Sequence, residues 1–393
     1  MQKTFKYRLY PTKAQEARLN ATLETCRRWY NACLEERRNA YQERGESVSV
    51  YAQLAKVKGL KLENPYASGI HSHVLQVVVQ DLNKAFDAFF RRVKAGERPG
   101  YPRFKSRDRF DSFGFKEYGN GFKIDGRKLK LSGIGRISVR WHRPVDGKIK
   151  TVRITRNASK WYACFSCEVA PEPLPATGKE VGIDVGINSL ITTSDGEKVE
   201  NPCWYREEQK KLRVLQRRVS RRKKGGRNRR KAVKALQRQH ERIKNRRKDY
   251  INKLAHRLIV ENDRIALEDL RIRNMVHNRH LSKSILDAGW NYLAERLVAK
   301  AAEAGRTVCF VEPAYTSKTC SACGGIFENL TLADRWVDCA CGASLDRDHN
   351  AALNILGRGQ RLWGETWSAA TSVPQEATRL QSLWSVTCMM DLG

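Results

Sequence analysis

VGIDVGINSLITTSDG, residues 181–196, decides the fold. An apolar strand, a turn and a returning strand follow one another, the pattern of a β-hairpin, with Asp184 after the first apolar run. RIALEDL (264–270) is a second apolar strand, ended by Glu268. A helix is expected over about 285–304, then a strand in TVCFVEP (307–313). SLDRDHNAALNIL (344–356) opens a helix at Asp348. Strands alternating with helices indicate an α/β layer. Asp184 and Glu268 fall at carboxyl ends of strands, where open α/β sheets place their active sites.

Carboxylate oxygens suit Mg²⁺, and two-metal hydrolysis of a phosphodiester needs acids converging from separate segments. Asp184 is the candidate to bridge two Mg²⁺ ions, with Glu268 and Asp348 each holding one. The helix N-terminus favours the ionised form of Asp348. Asp346 and Asp269 read as capping or solvated carboxylates. Before the third acid lie Cys320-Ser-Ala-Cys323 and Cys339-Ala-Cys341, two thiolate pairs suited to one structural Zn²⁺. Gly324-Gly325 and Gly342 follow the pairs, where knuckle turns need positive φ. The second pair is one residue shorter than the commonest spacing, which strains the geometry at Cys339. Cys164 and Cys167 sit in a strand-like run without a partner pair and read as packing residues.

The chain has 393 residues, 41% of them apolar, enough for two or three domains. A formal charge of +32 excludes an ordinary metabolic enzyme and calls for a polyanion, most simply nucleic acid. No apolar run is long enough to span a membrane and the N-terminus lacks a signal-peptide core, so a cytoplasmic protein with reduced or metal-bound cysteines is expected. Residues 204–262 read as two helices around Gly225-Gly226. Within them, residues 206–248 hold 21 Lys or Arg against three acids. Arg217, Arg218, Arg221, Arg222, Lys223, Lys224, Arg227, Arg229, Arg230 and Lys231 crowd the turn, an arrangement that repels itself without a polyanion.

The first half reads differently. KTFKYRL (3–9) alternates like a strand, and Thr12 caps a helix running to about Arg44. Helices are expected near 50–60 and from about Ile70 to Lys94. From 98 to 170, short β-rich runs separated by turns suggest a small barrel joined by the opening strand, with the helices inserted. PEPLPATGKE (171–180) reads as a linker. The tail after about 358 shows no clear periodicity and is expected to be poorly ordered or loosely docked.

GIDVGINSL, ALEDL, TSKTCSACG and CGASLDRDHNAALNIL resemble the motifs of the TnpB family, transposon-encoded RNA-guided DNA nucleases related to type V CRISPR effectors. FKYRLYPTKAQ, CRRWYN, LQVVVQDLNKAFDAFFRR and PGYPRFKSR resemble that family's opening segments. The resemblance spans roughly residues 1–357. It implies an RNase H-like RuvC nuclease domain (176–312 and 344–357, with 204–256 as a basic helical hairpin) carrying Asp184, Glu268 and Asp348 as the catalytic metal ligands. It implies a zinc-ribbon target-binding insertion (313–343), a wedge β-barrel (1–10 and 98–175) and a helical recognition lobe (11–97). Its expected partners are a guide RNA from the transposon end and double-stranded target DNA. A monomer in the ribonucleoprotein is also expected. Gln76 and Gln80 are candidates to read a short motif flanking the target, since Gln matches adenine edges; the polar face of a helix is the alternative. Competing functions are a nuclease-inactive RNA-guided repressor, a transposase or its accessory protein, and a zinc-ribbon binding module without chemistry.

Overall fold

The computed structural model describes residues 1–158, 160–331 and 334–368. It divides into two compact units, one of Met1–Ala170 with Val219–Arg238, the other of Pro171–Arg218 with Gln239 onward.

In the first unit, β1 (Gln2–Tyr10) leads into α1 (Lys13–Arg44), α2 (Val50–Glu63), α3 (Pro65–Ser68) and α4 (Ser72–Lys94). The strands β2 (Ser112–Phe115), β3 (Glu117–Tyr118), β4 (Gly121–Asp125), β5 (Lys128–Leu131), β6 (Gly135–Arg140), β7 (Lys148–Asn157) and β8 (Lys160–Glu168) follow. They form one eight-stranded sheet in the order β2-β7-β8-β1-β6-β5-β4-β3. β1 therefore lies between β8 and β6, pairing antiparallel with both. Thr12 caps α1 in a reciprocal capping box with Gln15, as the sequence predicts. Alternation along β1 buries Phe5, Tyr7 and Leu9 in one core with Leu19, Leu23 and Cys26 of α1 and Val74, Leu75 and Leu82 of α4. Cys167 is buried in that core, and Cys164, three residues earlier on the same strand, is half-buried, which suits packing residues.

The second unit carries β9 (Glu180–Asp184), β10 (Ser189–Thr193) and β11 (Lys198–Glu200), then α5 (Trp204–Ser220) as far as Arg218 and α6 (Arg227–Glu261) from Gln239. Next come β12 (Arg264–Glu268), α7 (Ile272–Met275), α8 (Ser282–Ala288), α9 (Trp290–Ala304) and β13 (Thr307–Val311). The unit closes with β14 (Trp336–Asp338), β15 (Ser344–Asp346) and α10 (Arg347–Ser368). The main sheet runs β11-β10-β9-β12-β13, with β9, β12 and β13 parallel. Its two faces are unlike. Val181, Ile183, Ile265 and Leu267 are buried in one cluster with Ile251, Leu254 and Leu258 of α6 and Leu293 and Leu297 of α9. Gly182 and Ala266, one residue out of phase, meet α10 on the opposite side.

α10 sits so close that a Cβ on Gly182 would lie 2.2 Å from Ala352 O and 2.5 Å from Leu356 N. A Cβ on Gly359 would likewise lie 2.6 Å from the Ala266 Cβ.

Three readings change. The helix expected over 285–304 is two helices, broken at Gly289, whose φ of 73° is left-handed. The segment expected to be tail from 358 continues α10 to Ser368, with Trp363 buried against Ala266, Val311 and Ile355. The remainder of that tail, 369–393, lies outside the described residues. The linker is pinned to its own unit. Glu172 N and Leu174 N donate to Glu303 O (2.9 Å) and Ala304 O (3.0 Å), and Thr177 N and Gly178 N donate to the Asp263 carboxylate.

Candidate functional site

β9 and β12 run parallel in a register that pairs Leu267 with Ile183, so Glu268 and Asp184 close neighbouring strands side by side. Asp348 lies in the first turn of α10, the helix packed across those strands. That turn is firmly held. Asp346 Oδ1 accepts from Asp348 N (3.0 Å) and His349 N (3.2 Å), and Lys198 Nζ reaches Asp346 Oδ2 at 2.6 Å. His349 Nε2 lies 3.0 Å from Ser194 O, on the turn between β10 and β11. The capping role read for Asp346 is what the structure shows, leaving Asp348 for other work.

The electrostatics show that the three acids share one neighbourhood. Burial first, then the charges of Glu268 and Asp348, push the Asp184 carboxyl up to about 8, against the Arg347 guanidinium and the Val185 N–H. Burial also raises Glu268, opposed by the Thr316 hydroxyl and the Arg358 charge. Buried beside two other carboxylates, Asp184 cannot ionise cheaply without a compensating cation. A hard divalent cation suits the oxygen donors. Thr316 at Glu268 and Arg347 near Asp184 complete the surroundings, with Asn350 and Asn354 bonding the backbone at Thr316, Thr319 and Ser321; none of the four was read from the sequence. Only their clustering around TSKTC and DRDHNAALN was available as a signal.

The four cysteines come together. Their Sγ atoms all lie within 4.8 Å of one another, with Cys320–Cys341 at 3.8 Å and Cys323–Cys339 at 3.5 Å. Tetrahedral zinc with Zn–S near 2.3 Å sets its sulfurs about 3.8 Å apart. The thiolate set therefore fits structural zinc, and the short Cys339-Ala-Cys341 spacing does not displace Cys339. Gly324 and Gly342 turn the knuckles with φ of 78° and 89°. Although burial opposes it, the backbone N–H groups of Cys323 and Ala322, with the neighbouring thiols, hold the Cys320 thiol down at about 7, while against the Cys341 N–H the same neighbours push Cys339 up to about 12, so the four thiols do not ionise alike before a metal binds.

The basic residues follow the hairpin. Arg217 and Arg218 end α5, Arg221, Arg222, Lys223 and Lys224 fill the connection, and Arg227, Arg229, Arg230 and Lys231 open α6. All are exposed except half-buried Arg229. Cations opening a helix oppose its dipole, so an anion there would relieve two repulsions at once. Gln76 and Gln80 are half-buried on α4, and Gln76 Oε1 accepts from Lys116 Nζ at 3.0 Å.

Comparison with known proteins decides the family. A family profile described as "probable transposase" matches residues 164–279, and one for the Cas12f1-like TNB domain matches 290–355. A third, described as a helix-turn-helix domain, matches 1–46, although these residues form β1 and the single unbroken helix α1. A Streptomyces pristinaespiralis protein named as an RNA-guided DNA endonuclease is 38% identical, over 91% of this chain and 90% of its own. The Escherichia coli K12 RNA-guided DNA endonuclease InsQ is 31% identical, over 96% of this chain and 97% of its own. This chain belongs to the TnpB family of RNA-guided DNA endonucleases. Among solved structures, the mini-RNA-guided endonuclease Cas_phi3 has 10% identity and a TM-score of 0.49, covering 91% of this chain and 92% of that one. In this TnpB-family chain, no helix among the described residues is long and apolar enough to cross a membrane.

Proposed function

We propose that the chain is a transposon-associated RNA-guided DNA endonuclease whose chemistry resides at Asp184, Glu268 and Asp348. One observation carries this reading: two acids close adjacent parallel strands, the third opens the helix packed across them, and Asp184 feels the charge of both others. The second unit is then an RNase H-like RuvC nuclease, and the first a wedge barrel with an inserted helical lobe.

When bound, two Mg²⁺ ions would activate water and stabilise the leaving oxygen of a DNA phosphate. Asp184, Glu268 and Asp348 would be the residues that hold them. The chain's own contribution is preorganisation: burial around Asp184, the hydrogen bond fixing Glu268, and the Asp346 cap fixing the turn that carries Asp348. Cys320, Cys323, Cys339 and Cys341 would close a structural zinc site. The hairpin from Arg217 to Lys231 would grip guide RNA through its phosphates, leaving sequence to base pairing. Gln76 and Gln80, with Lys116 beside Gln76, would read the motif flanking the target.

The test is protein expressed with its own transposon end, purified with the RNA it retains, and given matching duplex DNA with Mg²⁺. Both strands should be cut, and Asp184→Ala should lose cutting by several orders of magnitude while RNA and target binding persist. RNA-dependent target binding with no cutting by the unaltered protein would instead make this chain a repressor.

A further inference from the structure

Thr316 holds a member of the acid cluster from outside it. Buried between β13 and the first cysteine knuckle, it donates its hydroxyl hydrogen to Glu268 Oε1. Pro313 O lies 3.1 Å from the same hydroxyl, but the charged acceptor is the stronger partner for its single proton. Tyr315, immediately before it, has φ of 62°, a backbone conformation rarely adopted by a non-glycine residue. Its carbonyl accepts from Lys318 N and Thr319 N, both at 3.1 Å, closing a turn around Thr316 and Ser317. Backbone strain of this kind persists where the surroundings over-determine it.

The surroundings here are two asparagines of α10. Asn354 Nδ2 donates to Thr316 O at 2.9 Å and to Thr319 O at 2.6 Å. Asn350 Nδ2 donates to Thr319 O at 2.8 Å, and its Oδ1 accepts from Ser321 N at 2.9 Å. Cys320 lies between Thr319 and Ser321. Two side chains on adjacent turns of α10 thus bond the backbone on both sides of a thiolate ligand and at Thr316. Asn350 is fully buried, and Asp348 stands two residues before it. A buried amide that loses its partners is costly, so this arrangement resists slipping.

We infer that Thr316 is a positioning residue for Glu268, and that zinc in the cysteine element steadies it through Asn350 and Asn354. The inference rests on reading Asp184, Glu268 and Asp348 as the divalent-metal site. A carboxylate with one oxygen already fixed has less freedom to lose on binding a cation, and removing such an outer partner typically weakens metal affinity 10- to 100-fold. The zinc element then has a task at the chemical step, separate from any contact with the target.

The experiment measures Mn²⁺ binding to the RNA-loaded protein by electron paramagnetic resonance, taking as site-specific the component that Asp184→Ala removes. Single-turnover cutting of pre-bound target is followed against Mn²⁺ concentration beside it. Thr316→Val should weaken the specific component about 10-fold and raise the half-maximal Mn²⁺ for cutting by a similar factor. Target binding and zinc content should stay unchanged. Thr316→Ser should restore both, and Thr316→Ala, which adds no bulk, should repeat the defect. Cys323→Ser should lower zinc content and shift Mn²⁺ binding the same way, even with target already bound. Unaltered Mn²⁺ binding in Thr316→Val and Thr316→Ala, with Asp184→Ala still null, overturns the inference and leaves the acid site standing. If Asp184→Ala keeps both the Mn²⁺ component and cutting, the acid site itself falls and the inference with it.

Discussion

Asp263 secures the segment that enters the second unit. Its carboxylate accepts from Thr177 N, Thr177 Oγ1 and Gly178 N at 2.8–3.0 Å, and it pairs with Arg306, which also donates to Pro175 O at 2.7 Å. The Thr177 backbone hydrogen bond first, with Gly178 and Arg306 behind it, holds the carboxyl below its ordinary value against some desolvation. A depressed folded-state pKa stabilises above the unfolded value near 3.9, and that contribution is lost as pH falls through the folded one. Asp263→Asn should therefore cost about 1–2 kcal/mol at pH 7, modest because the carboxylate is partly exposed. Thermal unfolding should show the gap closing below about pH 4; a gap independent of pH would deny the carboxylate this role. At this scale the acids and cysteines were legible because their chemistry confines them to few residue types. Asp346 was legible as a cap by its position before a helix. Thr316 was not: a threonine that bonds Glu268 across 48 positions of sequence leaves no local pattern.

α10 shows what an element needs beyond periodicity. It lies against the sheet only because Gly182, Ala266, Ala352 and Gly359 keep the contact free of bulk. Gly182→Ala would drive a Cβ into the α10 backbone, where no side-chain rotation can absorb the clash. Overpacking of this kind costs about 1–3 kcal/mol or more. The variant should melt earlier and cut poorly in proportion to undocked α10; an unchanged melting temperature would mean that helix and strand part easily. The small residues carry no hydrophobic weight, which is why the sequence reading stopped the helix near 358. Ile355, Gly359 and Trp363 continue its inner face at four-residue steps, but one of the three is glycine. The break at Gly289 was overlooked for the opposite reason, since apolar residues run on through both α8 and α9. Strands fared better: β9, β12 and β13 are short, apolar and bounded by polar residues, so their number and order were readable.

For the whole molecule, charge is the property read most directly from the residues. The excess at the hairpin turn should make RNA affinity fall steeply with salt. Replacing Arg221, Arg222, Lys223 and Lys224 by Ala should flatten the log–log salt dependence of RNA binding by about three units, at 0.7–0.9 for each phosphate no longer neutralised. A slope equal to that of the unaltered protein would mean that RNA phosphates are held elsewhere. The boundary between the two units was legible from the change of pattern after residue 170, whereas the change after residue 98 marks no break, since the helices before it and the strands after it share one core. The inclusion of Val219–Arg238 in the first unit was not legible, because nothing in its periodicity sets that stretch apart from the rest of α5 and α6.

The acids occur along the chain as Asp184, Glu268 and Asp348, and the last rides on the helix that must dock against the strands of the other two. With the proposed site at these acids, this order would act on the ribosome as a safety catch. A nascent chain that has emerged past Glu268 holds two of the three acids and no helix to bring the third. On the proposed acid site, a polypeptide truncated before Asp348 by premature termination or proteolysis lacks one of the three acids and cannot cut. On that reading an endonuclease of this design is armed only once α10 has been made.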